Sequence, residues 1–305
     1  MLENLKNLRY SFKTYFITAI SFFIILLLLF FNNYEKILYF PLNTPGEWCD
    51  SQPCIILELF SSSITLVQPT STFFVYFLGI LTVLVGLYLL KLSKKQQFIT
   101  WWGIALLLWG VGALFAGTSY QAFSYELKCA GRTYCIWTSW WEVVYLILTV
   151  GSLNAMMVAQ ANFQDNKYER IMKIYAMLNY LIYLTIAIIG SIIPIQFLIS
   201  FELMLIILVP NILIFIVTST KQFRRSEQKI DFYFLGIWVF LILIILAYFI
   251  YYFMGITEAL WEINIWFSEN DVLHIALIFW MVYILLTIRK YQKIYYFQKS
   301  DSMKE

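Results

Sequence analysis

Long apolar stretches constrain this chain more than any other feature of its sequence. Eight of them recur along the 305 residues, at 14–31, 73–90, 98–119, 136–159, 171–193, 197–219, 232–253 and 271–288. Each has about the length that an α-helix needs to cross a bilayer. Charged residues make up 13% of the chain, about half of the roughly 25% typical of a soluble domain. The sequence therefore predicts an all-α fold, a polytopic membrane helix bundle with eight spans.

The positions of the basic residues predict how the chain is oriented in the membrane. Lysine and arginine are retained on the cytoplasmic side during insertion. If the N-terminus is cytoplasmic, only Lys36, Lys128 and Arg132 of the 21 basic residues lie outside. With one crossing more or fewer, the basic residues would be divided between the two sides of the membrane. We therefore predict that both termini are cytoplasmic and that the first span is an uncleaved anchor, because its apolar core is longer than that of a signal peptide.

These patterns divide the chain into three parts: an N-terminal anchor helix with an outside loop (1–72), a seven-helix membrane core (73–288) and a cytoplasmic basic–aromatic tail (289–305). Within the outside loop, Ile55–Phe60 is too short to span and predicts an amphipathic turn of helix at the membrane interface. The tail predicts contact with anionic membrane lipid. Nucleic acid is not expected as a partner, because the basic run is short and adjoins a span.

Four cysteines, Cys49, Cys54, Cys129 and Cys135, all fall in predicted outside loops. Two close pairs in an oxidising compartment (periplasm, lumen or extracellular space) predict disulfides. Pairing within each loop and pairing between the loops both remain open. A four-cysteine zinc site is the rival interpretation, although neither pair has the usual two-residue spacing.

Acidic residues collect at the predicted outer ends of the spans, and four ionisable residues lie inside span ends. Two follow serine in S-x-x-E or S-x-x-D patterns, Ser139–Glu142 and Ser268–Asp271, which are typical of helix capping boxes. Glu202 has no such pattern and predicts either a polar cavity or a side chain that snorkels to the surface. His274, the single histidine, shares a helix face with Asp271. Two interpretations are open: His274 acts as a metal ligand or base, or it is hydrogen-bonded to a neighbouring helix.

These four residues occupy one predicted depth, together with the polar residues that end the third span (Ser119, Tyr120, Gln121, Tyr125 and Glu126). A bundle that brings them together would form an outer pocket, and the excess of acids would attract cations to it. Deeper in the core, Asn154 and Pro210–Asn211 predict support for a helix kink.

The seven-helix core resembles the superfamily that joins alkaline ceramidases to adiponectin-type receptors (CREST). Gly117–Glu126 falls where that family has a polar segment ending core helix two, Glu142 where it has an acid, and Asp271 with His274 where it has a histidine pair. Phe123 and Ser124 stand where the family's helix-two histidine would be. The resemblance implies zinc-dependent hydrolysis of amide or ester bonds in lipids.

Under this hypothesis Glu142, Asp271 and His274 hold zinc or another divalent cation, which lowers the pKa of bound water. Glu202 or Glu126 would act as the base. Ser119 or Tyr120 would stabilise the developing oxyanion.

Two alternatives from other classes stay open. One is a non-enzymatic seven-helix sensor that takes a lipid-like or small-molecule ligand in its outer pocket, and the other is a transporter or an accessory membrane subunit. Retinal is not expected, because no lysine lies between Asp271 and Ile288. A bis-histidine haem is not expected in a chain with one histidine.

Overall fold

A computed structural model describes residues 43–59, 62–93, 96–164, 166–193, 195–226 and 229–301. The predicted first span, 14–31, lies outside these residues. In chain order the elements are α1 (Pro45–Asp50), β1 (Cys54–Leu59), β2 (Ser62–Val67), α2 (Pro69–Leu92), α3 (Gln97–Ala116), a π-helical segment (Gly117–Ala122), α4 (Ser124–Lys128), α5 (Trp140–Ala161), α6 (Asn166–Ile192), a 3-10 helix (Gln196–Ile199), α7 (Phe201–Ser226), α8 (Lys229–Phe253), α9 (Ile256–Glu262) and α10 (Glu269–Asp301).

Seven helices in the described part of the chain are long and apolar enough to cross a membrane: α2, α3 with its π-helical continuation, α5, α6, α7, α8 and α10. They coincide with the seven predicted core spans, so the prediction of a multi-pass helical membrane protein is confirmed. The ends differ from the predicted boundaries. α2 begins at Pro69, and α10 continues without a break past residue 288 to Asp301.

The prediction of an interfacial helix at Ile55–Phe60 is wrong, and the described fold is not purely α-helical. β1 and β2 form an antiparallel hairpin in which Cys54 is opposite Val67 and Leu59 is opposite Ser62. The run begins with two isoleucines, whose branched side chains favour extended backbone over helix. A run this short can form either a turn of helix or a β-strand, and its hydrogen-bonded pairing with β2 stabilises the strand.

Contacts at the two ends of neighbouring helices set their relative depth. α2 and α10 run parallel, because Ser71 bonds Ser268 near their starts and the Gln292 side chain donates to the Leu92 carbonyl near the other end. We call the end that holds both disulfides the disulfide end, and the opposite end the basic end. α2, α5, α7 and α10 all begin at the disulfide end.

Four glycines let α2 and α3 pack backbone to backbone. Gly79 and Gly86 on α2 face Gly110 and Gly103 on α3, and each pair is seven residues apart, which places both members on one helix face. A Cβ atom built on Gly110 would lie 2.7 Å from the Val83 nitrogen and 2.8 Å from the Gly79 carbonyl oxygen. Small residues are what allow membrane helices to approach this closely.

Large aromatic side chains fill the interior between α3, α7, α8 and α10. Trp238 stacks on Phe215 with ring centroids 3.7 Å apart and lies 6.1 Å from Trp102. One layer nearer the disulfide end, Trp109 and Trp280 are 5.3 Å apart. These layers close the bundle interior between the disulfide end and the basic end.

Candidate functional site

Both disulfides form within their own loops, Cys49–Cys54 and Cys129–Cys135, so the predicted bridges are confirmed and their connectivity is local. The first joins α1 to β1. α1 itself starts with a capping box in which the Glu47 carboxylate accepts from the Thr44 backbone amide at 2.8 Å. This bond and a second one from the Thr44 hydroxyl hold the pKa of Glu47 below its usual value.

Residues 43–59, 62–68 and 124–139 form a cover over the disulfide end. The Asn43 carbonyl accepts a bond from the Cys135 amide at 2.8 Å, which joins the two segments. The Glu126 carboxylate accepts from the Thr65 amide at 2.9 Å, so this predicted base is bonded to β2.

A buried ion pair joins this cover to the helix bundle. Lys128, at the end of α4, pairs with Glu142 in the first turn of α5, and the two residues are 5% and 2% exposed. Glu142 Oε1 also accepts from the Ser119 hydroxyl at 2.9 Å, and Oε2 accepts from the Thr138 hydroxyl at 2.5 Å. Buried charges are tolerated when they are paired and hydrogen-bonded in this way. Both oxygens of Glu142 are therefore occupied by groups of the protein.

The predicted capping box at Ser139–Glu142 is wrong. Ser139 precedes α5 but makes no side-chain cap bond; its hydroxyl bonds that of Ser119 at 2.7 Å instead. The Glu142 side chain turns away from the helix start because an ammonium group is a stronger partner for a carboxylate than a backbone amide.

The Lys128 ammonium also lies against two aromatic rings. It is 5.2 Å from the ring centroid of Tyr120 and 5.7 Å from that of Trp48 in α1. These are cation–π distances. Lys128 thus connects the cover to the π-helical segment and to α5.

Asp271 and His274 lie on another side of the bundle, where α10 meets α2. Asp271 Oδ2 accepts from the Ser268 amide at 2.6 Å and from the Ser268 hydroxyl at 3.0 Å, which confirms a capping role for this carboxylate. Its Oδ1 is buried without a hydrogen-bond partner among the described residues, and so is Nδ1 of His274. The predicted bond from His274 to a neighbouring helix is not formed within the described chain.

The structure does not bring together the three residues that were predicted to hold a metal. Glu142 is bonded to Lys128, Ser119 and Thr138, whereas Asp271 is bonded to Ser268. In the part of the chain that the structure describes, no three His, Cys, Asp or Glu side chains come together as a metal-binding group.

Tyrosines from four different elements converge at the disulfide end. We call Tyr120 (π-helical segment), Tyr145 (α5), Tyr183 (α6) and Tyr248 (α8) the tyrosine cluster. The rings of Tyr120 and Tyr145 meet edge to face with centroids 6.0 Å apart. Tyr145 lies in the second turn of α5 and Tyr248 in the last turns of α8, so both are near the disulfide end.

The tyrosine cluster is partly accessible, and the Lys128 ammonium of the buried ion pair lies against one of its rings. Tyr120 is 36% exposed, whereas Tyr183 is fully buried and its hydroxyl has no partner within the described residues. Glu202 lies in the first turn of α7, at the same end of the bundle as Tyr120. Of the predicted site residues, the structure brings Ser119 and Glu142 into direct contact, with the Ser119 hydroxyl donating to Glu142 Oε1 at 2.9 Å.

Sequence reasoning missed the other three tyrosines. In a chain that is 20% aromatic, nothing separates Tyr145 and Tyr248 from ordinary core residues. Tyr183 did carry a signal, because it shares one helix face of α6 with Tyr175 and Asn179 at intervals of four residues.

That face leads from the tyrosine cluster to a closed polar ring in the middle of the bundle. Asn154 donates to Asn179 at 2.9 Å, Asn211 donates to Asn154 at 3.3 Å, and Tyr175 donates to Asn211 at 2.8 Å. Asn179 also donates to the Ile207 carbonyl at 3.3 Å, in the turn before Pro210. Asn211 bonds Asn154 and Tyr175 on neighbouring helices, and this is not the local bond that was predicted beside Pro210.

Residues 70–293, which include nearly all of the seven long helices, match a protein-family model described as a family of unknown function (DUF6962). No curated protein and no solved structure matches the chain.

Proposed function

The chain belongs to this family of unknown function, and we propose that it is a multi-pass membrane protein that binds a small ligand at the tyrosine cluster without catalysing a reaction. The tyrosine cluster carries this proposal, because the Tyr120 and Tyr145 rings pack together at the disulfide end and the buried Tyr183 hydroxyl has no described partner. Pockets for small molecules combine apolar and aromatic walls with a few converging polar groups, and this composition is what α5, α6, α8 and the π-helical segment contribute.

The Tyr183 hydroxyl supports a ligand because it is buried without a partner in the described chain. A buried hydroxyl without a hydrogen bond costs about 1–3 kcal/mol. A ligand that forms a hydrogen bond with this hydroxyl would remove that cost. The bond would then contribute to the free energy of binding.

The surroundings support access from one side only. Tyr120 is accessible at the disulfide end, while the layers of Trp109, Trp280 and Trp238 fill the interior below. We place the disulfide end on the non-cytoplasmic side, since most lysines and arginines lie at the basic end. The ligand would then enter from the periplasm, a lumen or the extracellular space.

A lipid hydrolase is the alternative, and the site geometry favours it less. Two of its features remain, the unpartnered Asp271 Oδ1 and the unpartnered His274 Nδ1 on one helix face. Its third metal ligand, Glu142, is bonded to Lys128, and its base Glu126 is bonded to Thr65. A ligand-binding protein needs neither residue to be free.

We expect some members of a panel of cationic, neutral and anionic small molecules to raise the melting temperature of the purified protein in detergent. A ligand at 100 times its Kd stabilises the folded state by about 2.7 kcal/mol. In the Tyr183→Phe variant the unliganded protein should be at least as stable as the wild type, and more stable by up to about 1–3 kcal/mol, because the substitution removes a buried hydroxyl without a described partner. The ligand-induced shift should shrink. Tyr88→Phe, a 41% exposed tyrosine of α2, is the matched control and should keep the full shift.

The proposal fails if no panel member stabilises the wild type. It also fails if a stabilising ligand acts equally well on Tyr183→Phe and on a second cluster variant, Tyr120→Leu.

A further inference from the structure

We infer that the connection between α8 and α10, residues 254–268, is embedded in the lipid surface of the leaflet at the disulfide end and does not project into water. The inference does not depend on the proposed function. It rests on the apolar side chains that the connection exposes, on the bonds that hold them in place and on their depth in the membrane.

The connection exposes large apolar side chains on both sides of α9. Phe253, where α8 ends, is 77% exposed, and Met254 next to it is 68% exposed. Past α9, Ile263 is 63% exposed, and Ile265 and Trp266 are exposed as well. Surfaces in water expose such side chains singly, whereas a group of them marks a surface that binds a membrane or another protein.

The backbone holds the apolar residues after α9 in one conformation. α9 ends in a Schellman motif, with Asn264 in the left-handed region. The Ile265 amide donates to the Leu260 carbonyl at 2.9 Å. The Asn264 amide donates to the Trp261 carbonyl at 3.0 Å. Because these bonds fix the turn, Ile265 is held outwards and does not belong to a loop that is free to fold back.

Two contacts anchor the connection to the starts of α2 and α10. The Thr70 hydroxyl, in the first turn of α2, donates to the Trp266 carbonyl. The Glu269 amide, where α10 begins, donates to the Thr257 hydroxyl of α9 at 3.1 Å. The exposed side chains near Trp266 therefore lie at the depth where two spanning helices begin.

The exposed apolar face of α8 indicates the same depth. It runs from Phe232 to Phe253, which corresponds to about 32 Å along a helix axis. The hydrocarbon core of a bilayer is about 30 Å thick. Phe253 thus lies near the hydrocarbon boundary, and residues 254–268 follow at the level of the headgroups. Tryptophan is enriched at this level of membrane proteins.

The acidic residues of α9 give the connection a polar side as well. Glu258 and Glu262 are both exposed and lie one turn apart, so they share a face of the helix. Segments that lie in the membrane interface combine a charged face with apolar side chains that enter the lipid. We assign the face with the two carboxylates to water and the side chains of Ile263 and Ile265 to lipid.

The connection between α6 and α7, at the same end, supports this assignment. Ile193, Ile195 and Phe197 are exposed there, and the segment 193–200 contains no charged residue. The cover differs, because it exposes charged residues such as Asp50. The disulfide end is thus divided into a charged side, which is the cover, and an apolar side, which the two connections form.

The test measures the membrane depth of a nitroxide spin label on Ile263→Cys in the full-length protein, reconstituted in phosphatidylcholine nanodiscs. All four native cysteines are in disulfides, so the new thiol is the only free one. The label should collide more often with oxygen, which dissolves in lipid, than with a water-soluble, uncharged nickel complex. Glu258→Cys is the matched control in the same connection. The ratio of oxygen to nickel collision rates should be several-fold higher at position 263 than at position 258.

Met254→Cys is the second variant, and it should give a high ratio like that of Ile263→Cys. More frequent collisions with nickel than with oxygen at either position would overturn the inference, because the connection would then lie in water. Low collision rates with both reagents would also overturn it. Another protein segment, such as the predicted first span or a second copy of the chain, would then cover the apolar side chains.

Discussion

Replacing Lys128 with methionine should lower the free energy of unfolding by about 3–5 kcal/mol, because Glu142 then keeps a buried charge without its counter-ion. Ser119 and Thr138 can still donate to the carboxylate, but neutral hydroxyls do not balance its charge. The measurement is denaturation of the purified protein in detergent, monitored by tryptophan fluorescence. Lys91→Met, at an exposed lysine of α2, is the matched control and should change stability little.

The double variant Lys128→Met/Glu142→Leu should recover most of the lost stability, since it removes both charges and keeps apolar volume. If the double variant is as unstable as Lys128→Met, the loss does not come from an unpaired Glu142. Equal stability of Lys128→Met and wild type would show that the ion pair contributes nothing.

Gly110→Ala should lower the free energy of unfolding by about 1–3 kcal/mol or more, because the added methyl group meets backbone atoms that cannot rotate away. The nearest are the Val83 nitrogen at 2.7 Å and the Gly79 carbonyl oxygen at 2.8 Å. Gly112→Ala is the matched control on the same helix, where the nearest atom to the new Cβ is Leu148 Cβ at 3.4 Å. Thermal unfolding in detergent should separate the two variants clearly.

Equal melting temperatures for Gly110→Ala and Gly112→Ala would contradict backbone-to-backbone packing of α2 and α3. If Gly110→Ala is stable but no longer binds ligand, the close contact of α2 and α3 serves ligand binding rather than stability.

The membrane spans could be predicted because the requirement is local and additive: each stretch must be apolar over its own length. The seven described spans follow from this rule alone. At Ile55 the rule gave no answer, because a six-residue apolar run suits a strand or a turn of helix, and the choice depends on a partner strand at Ser62–Val67.

The ion pair could not be predicted, because nothing local connects its two residues. Lys128 and Glu142 are brought together by the folding of the loop that the Cys129–Cys135 bridge closes. Sequence spacing did place Asp271 and His274 on one helix face correctly. It could not show that Glu142 lies in a separate cluster, because that depends on how α5 and α10 are arranged in the bundle.

The tyrosine cluster was hidden for a related reason. Tyr145, Tyr183 and Tyr248 lie on three helices far apart in the sequence, and each resembles an ordinary core aromatic. Their position depends on how the helices pack, as the contact between the Tyr145 and Tyr120 rings shows, and not on the local sequence.

The central claim is that the tyrosine cluster opens to water on the non-cytoplasmic side, and thiol labelling of Tyr120→Cys in intact cells tests it directly. All four native cysteines are in disulfides, so the new thiol is the only free one. We expect a membrane-impermeant maleimide to label position 120 without permeabilisation, to label Lys91→Cys only after permeabilisation, and not to label Phe279→Cys on the exposed face of α10. Labelling of position 120 that requires permeabilisation, or that does not occur at all, would contradict the account.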